Sequence, residues 1–442
     1  MFLALLLAFS AIDWVPVRWF SSDPSSLDLL QGSPINCLLL EERNWSPELV
    51  AKARGKGLTT LAVLRPGDGA VEKARGAGCD GLVLEGEFSP KPDLAGQLVI
   101  DLPYRSSIKL DSKAPVLGTY QGVWPGINIA DKDVKAAPTG GPWIDTNAGF
   151  LRFLRAATDK TVWISNPPPE KGVIPAERYL MAIADAAMSG ARWVLTLDAD
   201  FQTRLLAREE KALAGWKKMN GLLAFVEAHK EWREFSFGGQ MAVILDTASG
   251  ALLCGGVLDM VVVKHTPVRP FPYAKVSAPS LAPSKMAVNV DPSALTGQQK
   301  EELKAYTRQG GTLLTGPPGW KFPPLKPGQI TLGKEDTATL DTIWRELNAM
   351  TGRRNLGARL FNVSSMLSNL LVSKDGKRVL VHLVNYSNYP AESITVHVLG
   401  KWNRAVLEAP GAKPKEMAVY PVDDATGIDV DAVNSMATLI VE

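Results

Sequence analysis

The sequence is poor in the residues that hold metal ions or form disulfides. It has four histidines and three cysteines among 442 residues, and none of them has a spacing typical of a metal site. Cys37, Cys79 and Cys254 lie far apart and form no C-x-x-C pair, which excludes a disulfide framework and indicates small, buried side chains. We therefore expect no metal and no other cofactor.

Net charge and long apolar runs are also scarce. A formal charge of +2 gives no reason to expect nucleic acid or an acidic membrane surface as a partner. The N-terminal run MFLALLLAFSA is too short to span a bilayer, and no other segment could cross one. Because Ala8-Phe9-Ser10 has the pattern of a signal cleavage site, we predict a signal peptide at 1–11 and a secreted or periplasmic protein. No Lys or Arg precedes the run, so the cytoplasm is the alternative.

The sequence does contain a repeated alternation of apolar runs and helix-like stretches from residue 35 to about 205. Eight strands that alternate with crossovers predict parallel pairing, and eight is the number that closes a (β/α)8 TIM barrel. A doubly wound open sheet is the alternative. The predicted strands are INCLLL (35–40), TTLAVL (59–64), GLVLEGEF (81–88), QLVIDLPYR (97–105), APVLGTYQG (114–122), GPWIDTNA (141–148), TVWISN (161–166) and WVLTLDADF (193–201).

A different pattern begins near Gly238. A small α/β domain is predicted there from a helix whose Thr296 and Gln299 have capping-box spacing, and from the strands MAVILD (241–246), MAVNVD (286–291) and TLLTG (312–316). From RVLVHLVNY onward, short alternating strands without helices predict a β-sandwich. The multi-domain α/β chain is therefore predicted to contain a TIM barrel at 12–237, an α/β domain at 238–352 and an all-β sandwich at 353–442.

This order of domains resembles that of the three-domain bacterial β-galactosidases, in which a glutamine-amidotransferase-like trimerisation domain follows the barrel. LTGQQKEELKAYTRQGGTLLTGP is similar to part of that middle domain, and GKRVLVHLVNYSNYP to the opening of the C-terminal sandwich. The resemblance implies a divergent glycoside-hydrolase-like protein that self-associates as a homo-oligomer. In that family the catalytic glutamates end the fourth and seventh strands. Here the fourth predicted strand ends in Asp101 and the seventh, WISNPPP, has no acid, so those roles do not transfer.

Acidic side chains nevertheless gather at the predicted strand ends, where a barrel places its catalytic groups. Strand alternation predicts an inward direction for the acids of three strands, namely Glu85 with Glu87, Asp101, and Asp198 with Asp200. Glycoside hydrolysis needs one protonated and one ionised carboxyl group. We therefore predict metal-independent catalysis by two acids from the set Asp101, Asp145, Glu85 and Asp198. The alternative for any single acid is a structural ion pair, with Arg65 and Arg105 as partners.

Aromatic and amide side chains near the same ends indicate a carbohydrate ligand. Trp143, Asp145 and Asn147 share one face of their strand and offer a ring, a carboxylate and an amide to a sugar. For each tryptophan the alternative is packing in the barrel core. The predicted substrate-binding residues are Tyr104, Arg105, Trp124, Trp143, Asn147, Trp163, Asn166 and Asp200.

Asp198-Ala199-Asp200 also has the D-x-D spacing that holds a metal–nucleotide in sugar transferases. No glycine-rich phosphate loop precedes it, and two side chains two residues apart on a strand point the same way, so we expect at most one to contact substrate. We predict a glycoside-hydrolase-like enzyme acting on a glycan. The alternative is a non-catalytic carbohydrate-binding or scaffold protein on a degenerate barrel, which the acid-free seventh strand favours.

Overall fold

The structure is a computed structural model that describes residues 13–67, 71–94, 96–128, 143–245, 266–317, 328–330, 334–352 and 354–442. The predicted signal peptide at 1–11 and Cys254 lie outside these residues. The described chain is mixed α/β, with parallel sheets and a region of purely antiparallel sheets. It divides into two compact units, the first formed by 1–124 and 159–229 and the second by 125–158 and 230–442.

The strands of the described residues are numbered in chain order. They are β1 (Pro16–Trp19), β2 (Cys37–Leu40), β3 (Thr59–Leu64), β4 (Gly81–Glu85), β5 (Val99–Leu102), β6 (Val116–Thr119), β7 (Gly126–Asn128), β8 (Trp143–Asp145), β9 (Thr161–Ile164), β10 (Arg192–Trp193), β11 (Ser236–Phe237), β12 (Met241–Leu245), β13 (Arg269–Pro272), β14 (Met286–Asn289), β15 (Thr312–Thr315), β16 (Ala358–Phe361), β17 (Met366–Val372), β18 (Val379–Asn385), β19 (Ala391–Leu399), β20 (Ala405–Glu408), β21 (Lys415–Met417), β22 (Val419–Val422), β23 (Ala425–Val433) and β24 (Met436–Val441).

Four of the described helices begin after a residue whose side chain caps them, namely Ser46, Asp198, Ser277 and Thr296. The predicted capping box of Thr296 and Gln299 is confirmed, with both of its hydrogen bonds present. Among the residues that the structure describes, no helix is both long and apolar enough to cross a membrane. The helices are α1 (Pro47–Gly55), α2 (Val71–Gly76), α3 (Ala148–Ala157), α4 (Ala176–Met188), α5 (Ala199–Leu206), α6 (Glu210–Ala228), α7 (Ala278–Leu281), α8 (Gly297–Arg308) and α9 (Lys334–Thr351).

The first unit contains two parallel sheets. Strands β1 to β5 pair in chain order, and β10, β9 and β6 form the second sheet. β5 lies beside β6, where a Cβ on Gly118 would come within 2.4 Å of Leu102 Cδ2. Just after β10, the chain pairs with β1 through a parallel bridge between Val17 and Leu195, and the Arg18 N–H donates to the Leu195 carbonyl at 2.8 Å. Each of these eight segments therefore has a neighbouring strand on both sides.

Side chains from one face of these strands form a common apolar core, which includes Leu39, Val63, Val83, Ile100 and Trp163. The opposite face of β3 and β4 packs against Ala74 of α2 through Ala62, Leu64, Leu82 and Leu84. Because both faces are buried, the parallel strands have nearly continuous apolar sequences rather than alternating ones.

Two strand predictions differ from the structure. The strand β1 was not predicted, since the predicted series began at residue 35. The prediction that 141–148 forms a barrel strand is wrong, because β8 pairs antiparallel with β7 in the second unit. The first unit thus has eight neighbouring parallel segments, but they are not the same eight that the sequence predicted. The other predicted domain boundaries stay predictions.

The second unit combines a parallel sheet with two antiparallel sheets. The predicted strands at 241–246, 286–291 and 312–316 are confirmed as β12, β14 and β15, which form the parallel sheet together with β13. The antiparallel sheets have the orders β11-β17-β18-β24-β20-β21 and β16-β19-β23-β22. They share one apolar core, to which both contribute inward side chains, among them Leu360, Val396, Ile428, Leu383 and Leu439.

Candidate functional site

Charged side chains stand at the carboxyl ends of the first four parallel strands. Arg18 is the third residue of β1, Glu41 follows β2, Arg65 follows β3 and Glu85 ends β4. Parallel strands that are paired in register bring these ends to one edge of the sheet. Two arginines and two glutamates therefore meet there, and we call these four residues the Arg/Glu quartet.

Each arginine of the quartet binds both glutamates. Arg18 donates a hydrogen bond from Nη1 to Glu41 and another from Nη2 to Glu85. Arg65 donates to both oxygens of Glu41, at 2.6 and 2.9 Å, and through Nε and Nη2 to Oε1 of Glu85, at 3.1 and 2.9 Å. Two positive and two negative charges compensate each other, so the quartet is neutral as a whole.

Burial and ion pairing act in opposite directions on Glu41. Burial raises its pKa, but the hydrogen bonds and charges of Arg65 and Arg18 outweigh burial and lower the pKa to about 2. The hydrogen bond to Glu41 in turn raises the pKa of Arg65. Glu41 is therefore ionised at neutral pH. Arg18 is only 6% exposed, and its Nε has no hydrogen-bond partner among the described residues.

Arg18 and Glu41 line an open cleft of about 750 Å³ in the first unit. The end of β1 supplies Phe20, a half-buried ring next to the buried Trp19, with ring centroids 4.9 Å apart. The chain after β9 supplies a wall of three prolines, Pro167 to Pro169, and the chain after β10 supplies Thr196 to Ala199 and Gln202. Both signs of charge occur along the walls, so the cleft has no strong preference for an anion or a cation.

The predicted catalytic residue Glu85 is 5% exposed and belongs to the quartet. Its neighbour Glu87 is exposed and accepts a hydrogen bond from the Tyr104 N–H at 2.8 Å. Tyr104 stacks beside Tyr120, with ring centroids 5.6 Å apart. Burial and the hydrogen bond with Tyr104 raise the pKa of Tyr120, so the Tyr120 phenol stays protonated.

The inward direction predicted for Asp101 is wrong. Ile100 and Leu102 contribute to the common core of the strands, whereas Val99 packs into the outer cluster against α2. By strand alternation, Asp101 therefore lies on the outer face with Val99. It accepts a hydrogen bond from Lys91 Nζ at 2.8 Å. Its predicted catalytic role stays a prediction, and the outward direction of its side chain does not support that role.

Asp198 and Asp200 occupy the start of helix α5 rather than a strand. Asp198 is 3% exposed and caps the helix, accepting from the Phe201 N–H at 3.0 Å, the Tyr179 hydroxyl at 2.7 Å and the Ile174 N–H at 3.2 Å. Burial and the hydrogen bond to Asp198 raise the pKa of Tyr179, so this hydroxyl remains a donor. Asp200 is exposed and pairs with Arg204 at 2.8 Å.

The predicted ligand-binding residues of the first unit make internal contacts. Arg105 is buried and donates through Nε to the Gln121 carbonyl at 2.7 Å. Trp163 is fully buried in the core of the strands. Trp124 packs edge-on against Tyr179 and Trp193, with centroid distances of 5.4 and 5.2 Å. Asn166 donates to the Gly122 carbonyl at 2.7 Å. None of these predicted residues lines the cleft.

Three further predicted residues belong to the second unit. Trp143 begins β8 and Asp145, which is half-buried, ends it. Asn147 is fully buried at the start of α3, and its carbonyl accepts from the Leu151 N–H at 2.9 Å. Their predicted roles in catalysis and sugar binding stay predictions. Across the residues that the structure describes, no three His, Cys, Asp or Glu side chains are grouped so that they could hold a metal ion.

Comparison with solved structures gives a full-length match at low sequence identity. The α-L-fucosidase isoenzyme 2 from Paenibacillus thiaminolyticus is 10% identical, with a TM-score of 0.59 over 98% of this chain and 99% of that chain. The likeness shows a shared fold. No protein-family model matches the sequence, and no curated protein does.

Two other glycoside hydrolases match with lower scores. A rhamnosidase from Novosphingobium sp. PP1Y has a TM-score of 0.41 at 10% identity, over 90% of this chain and 38% of that chain. A β-galactosidase from Rahnella sp. R3 has a TM-score of 0.39 at 10% identity, over 87% and 66%.

The quartet and the cleft contain residues that sequence reasoning missed, namely Arg18, Phe20 and Glu41. Glu41 follows INCLLL directly, so the rule that polar residues at strand ends form the site would have found it. Arg18 and Phe20 lie in VPVRWF, which the sequence analysis did not count as a strand. Once β1 is included, its end supplies both side chains.

Proposed function

We propose that the protein is a glycoside-hydrolase-like protein that binds a neutral glycan in the cleft and does not hydrolyse it. The observation that carries this proposal is the Arg/Glu quartet. It engages the strand-end carboxylates Glu41 and Glu85 in ion pairs with the same two arginines, which lower the pKa of Glu41 and hold it as an anion. A glycosidase needs a protonated carboxyl group beside an ionised one.

We further propose that the eight parallel segments of the first unit close a TIM barrel. The neighbours that each segment has on both sides support closure, and the full-length likeness to a fucosidase supports it independently. In the second unit, we assign the parallel sheet of β12 to β15 to the amidotransferase-like domain and the two antiparallel sheets to the sandwich. This gives the domain order of the β-galactosidases that the sequence resembles.

When the barrel strands are counted from β1, different strands correspond to the fourth and seventh strands of the β-galactosidases. The fourth strand is β4, which ends in Glu85, and the seventh is β9, which is followed by Ser165 and Asn166. In the β-galactosidases, a catalytic glutamate ends each of these two strands. Only one of the two carboxylates has a counterpart in this chain, and that one is paired with two arginines. This arrangement supports binding without turnover.

The chemistry of the cleft supports a neutral glycan as the ligand. The Phe20 ring and the prolines offer apolar surface to the C–H faces of sugar rings, while the charged and amide side chains of the walls offer donors and acceptors to hydroxyl groups. The charges of both signs favour an uncharged ligand over a phosphate or a polycation. The likeness to a protein that is named a fucosidase points to the same class of ligand.

Affinity electrophoresis in gels that contain xylan, arabinogalactan or soluble starch tests the binding. We expect the wild-type protein to be retarded in at least one gel. The change Phe20→Ala should weaken the affinity derived from the retardation about tenfold, because the aromatic surface is removed. Leu206→Ala, at an exposed apolar position of the same unit, is the matched control. Equal retardation of Phe20→Ala and the control would remove the cleft as the binding site.

Hydrolysis is the second candidate function, and the position of Glu85 at the end of the fourth strand favours it. Turnover of p-nitrophenyl α-L-fucopyranoside or β-D-galactopyranoside by the wild-type protein would overturn the non-catalytic proposal. In that event the rate should be lost in Glu85→Gln and retained in Asp200→Asn, since Asp200 is exposed and paired with Arg204. We expect no turnover of either compound.

A further inference from the structure

The smaller antiparallel sheet of the second unit, β16-β19-β23-β22, has one buried and one outer face. Alternate residues of its strands, such as Leu360, Val396 and Ile428, point into the core shared with the larger sheet. The residues between them must point the opposite way, because side chains alternate along a strand. Most of these outer residues are half-buried or exposed.

Pairing register places the outer side chains in two rows across the sheet. Directly opposite residues in an antiparallel pair share a face. The first row is Arg359, His397, Gly427 and Tyr420. The second row is Phe361, Thr395 and Asp429. We call these seven residues the sheet patch.

The Tyr420 ring lies flat on the sheet over Gly427. A Cβ built on Gly427 would be 2.3, 2.6 and 2.9 Å from three consecutive atoms of the ring. These similar distances place the Cβ position over the face of the ring and not beyond its edge. Glycine is therefore the only residue that leaves room for the ring in this position, and the second face of the ring turns away from the sheet.

A hydrogen-bond network fixes the ring from its outer end. The Tyr420 hydroxyl donates to Asp429 Oδ1 at 2.9 Å, and the Thr395 hydroxyl donates to the same oxygen at 2.8 Å. Burial and the hydrogen bond to Asp429 raise the pKa of Tyr420, so its hydroxyl keeps the proton that it donates. The other carboxylate oxygen, Oδ2, has no such contact with these two hydroxyls.

The neighbouring part of the patch is also aromatic. The Phe361 and His397 rings are in contact at a tilt of 51°, with centroids 4.6 Å apart, and the Arg359 guanidinium lies over Phe361 at 5.3 Å. The patch thus combines flat rings with hydroxyl and carboxylate groups. The charges of Arg359 and Asp429 compensate each other.

We propose that the sheet patch is a second carbohydrate-binding site, which takes one surface of a neutral polysaccharide with Tyr420 as its stacking platform. A fixed ring that presents one face fits the C–H face of a sugar, and Asp429 accepts from its hydroxyls. The balanced charge disfavours nucleic acid and acidic lipid. The patch lies in a different unit from the cleft, and the inference does not rest on the function proposed for the cleft.

Affinity electrophoresis of the full chain in xylan, arabinogalactan and soluble starch gels tests the inference. Tyr420→Ala should lose at least about tenfold in affinity in a gel that retards the wild-type protein. Tyr420→Phe keeps the ring and should stay within about threefold of the wild type. Gly427→Ala should behave like Tyr420→Ala, because the added Cβ displaces the ring without removing any polar group.

Tyr389→Ala is the matched control, since Tyr389 is a 79% exposed tyrosine of the same unit outside the patch. Circular dichroism and thermal midpoints establish that each variant is folded. The inference is overturned if Tyr420→Ala is retarded as strongly as Tyr389→Ala, or if no gel retards the wild-type protein. A loss in Phe20→Ala without a loss in Tyr420→Ala supports the cleft and overturns the patch, and the reverse result does the opposite.

Discussion

Glu41 shows how a strand end can hold a carboxylate as a permanent anion. Its pKa in the folded protein, about 2, lies below its ordinary value of 4.5. A carboxyl group with a lowered pKa stabilises the fold at pH values above its ordinary pKa, and this stabilisation is lost as the pH falls through the folded value. The ion pairs of Glu41 should therefore contribute most at neutral pH and progressively less below about pH 4.5.

We expect Glu41→Gln to lower the free energy of unfolding at neutral pH by on the order of 1–3 kcal/mol, because two arginines lose part of their compensation. The difference from the wild type should shrink as the pH falls from about 5 to about 3. Urea denaturation at several pH values measures it. Glu42→Gln, whose exposed side chain pairs with exposed Lys73, is the control and should change little at any pH. A difference that is independent of pH would contradict the ion-pair interpretation.

Asp198 and Asp200 have the same side chain but different surroundings. We expect Asp198→Ala to lower the free energy of unfolding by about 2–3 kcal/mol, because it removes a helix cap and leaves the buried Tyr179 hydroxyl without its acceptor. Asp200→Ala loses one exposed ion pair and should change stability by less than about 0.5 kcal/mol. Chemical denaturation of both variants measures these effects. Similar values for the two would show that the cap contributes nothing.

Sequence reasoning found part of the site at this scale and missed part. Glu85 was placed at a strand end because it directly follows the apolar run GLVL. Asp198 was found for the same reason, but its role as a helix cap depends on Tyr179, which lies 19 residues away and whose contact no local pattern reveals. Ion pairs between strand ends, such as Arg18 with Glu85, join residues 67 positions apart.

Whole strands were predicted well where their sequences are continuous apolar runs, as in β2, β3 and β4. The directions of the side chains of β5 were predicted wrongly, and the cause is again burial on both faces. A strand buried on both faces has no alternation of apolar and polar residues, so its phase cannot be read from its sequence. Asp101 was assumed to point inward, whereas Lys91 pairs with it on the outer face. The strand β8 was wrongly assigned to the barrel. Its pairing with β7 depends on the tertiary fold and is not visible in the local sequence.

The contact between β5 and β6 gives an element-scale prediction. A Cβ on Gly118 of β6 would lie 2.4 Å from Leu102 Cδ2 and 2.8 Å from the Trp163 carbonyl oxygen. We expect Gly118→Ala to lower the free energy of unfolding by about 1–3 kcal/mol, because neighbouring strands must move apart. Gly55→Ala, at the end of α1 with no atom nearby, is the control and should be neutral or slightly stabilising. An unchanged thermal midpoint for Gly118→Ala would show that β5 and β6 do not pack this closely.

At the scale of the whole molecule, each compact unit has its own apolar core and its own candidate surface for carbohydrate. The cleft depends on strand ends of the first unit, and the sheet patch depends on strand faces of the second. Neither surface was predicted as a set, because each gathers side chains from several segments whose pairing is set by the fold. The acidic and aromatic residues could be identified from the sequence, but the pairs that become neighbours in the fold could not.

Each of these candidate surfaces should contribute to the retention of the protein by a polysaccharide gel. A gel presents many polysaccharide chains, so either site can bind one, and the combined affinity exceeds that of either site alone. We expect Phe20→Ala and Tyr420→Ala each to weaken retardation in the xylan, arabinogalactan or starch gel that retards the wild type, and only the double variant to abolish it. Dissociation constants come from the retardation of the four proteins over a series of polysaccharide concentrations. If either single change abolished retardation as completely as the double change, the molecule would have one site for the polymer and not two.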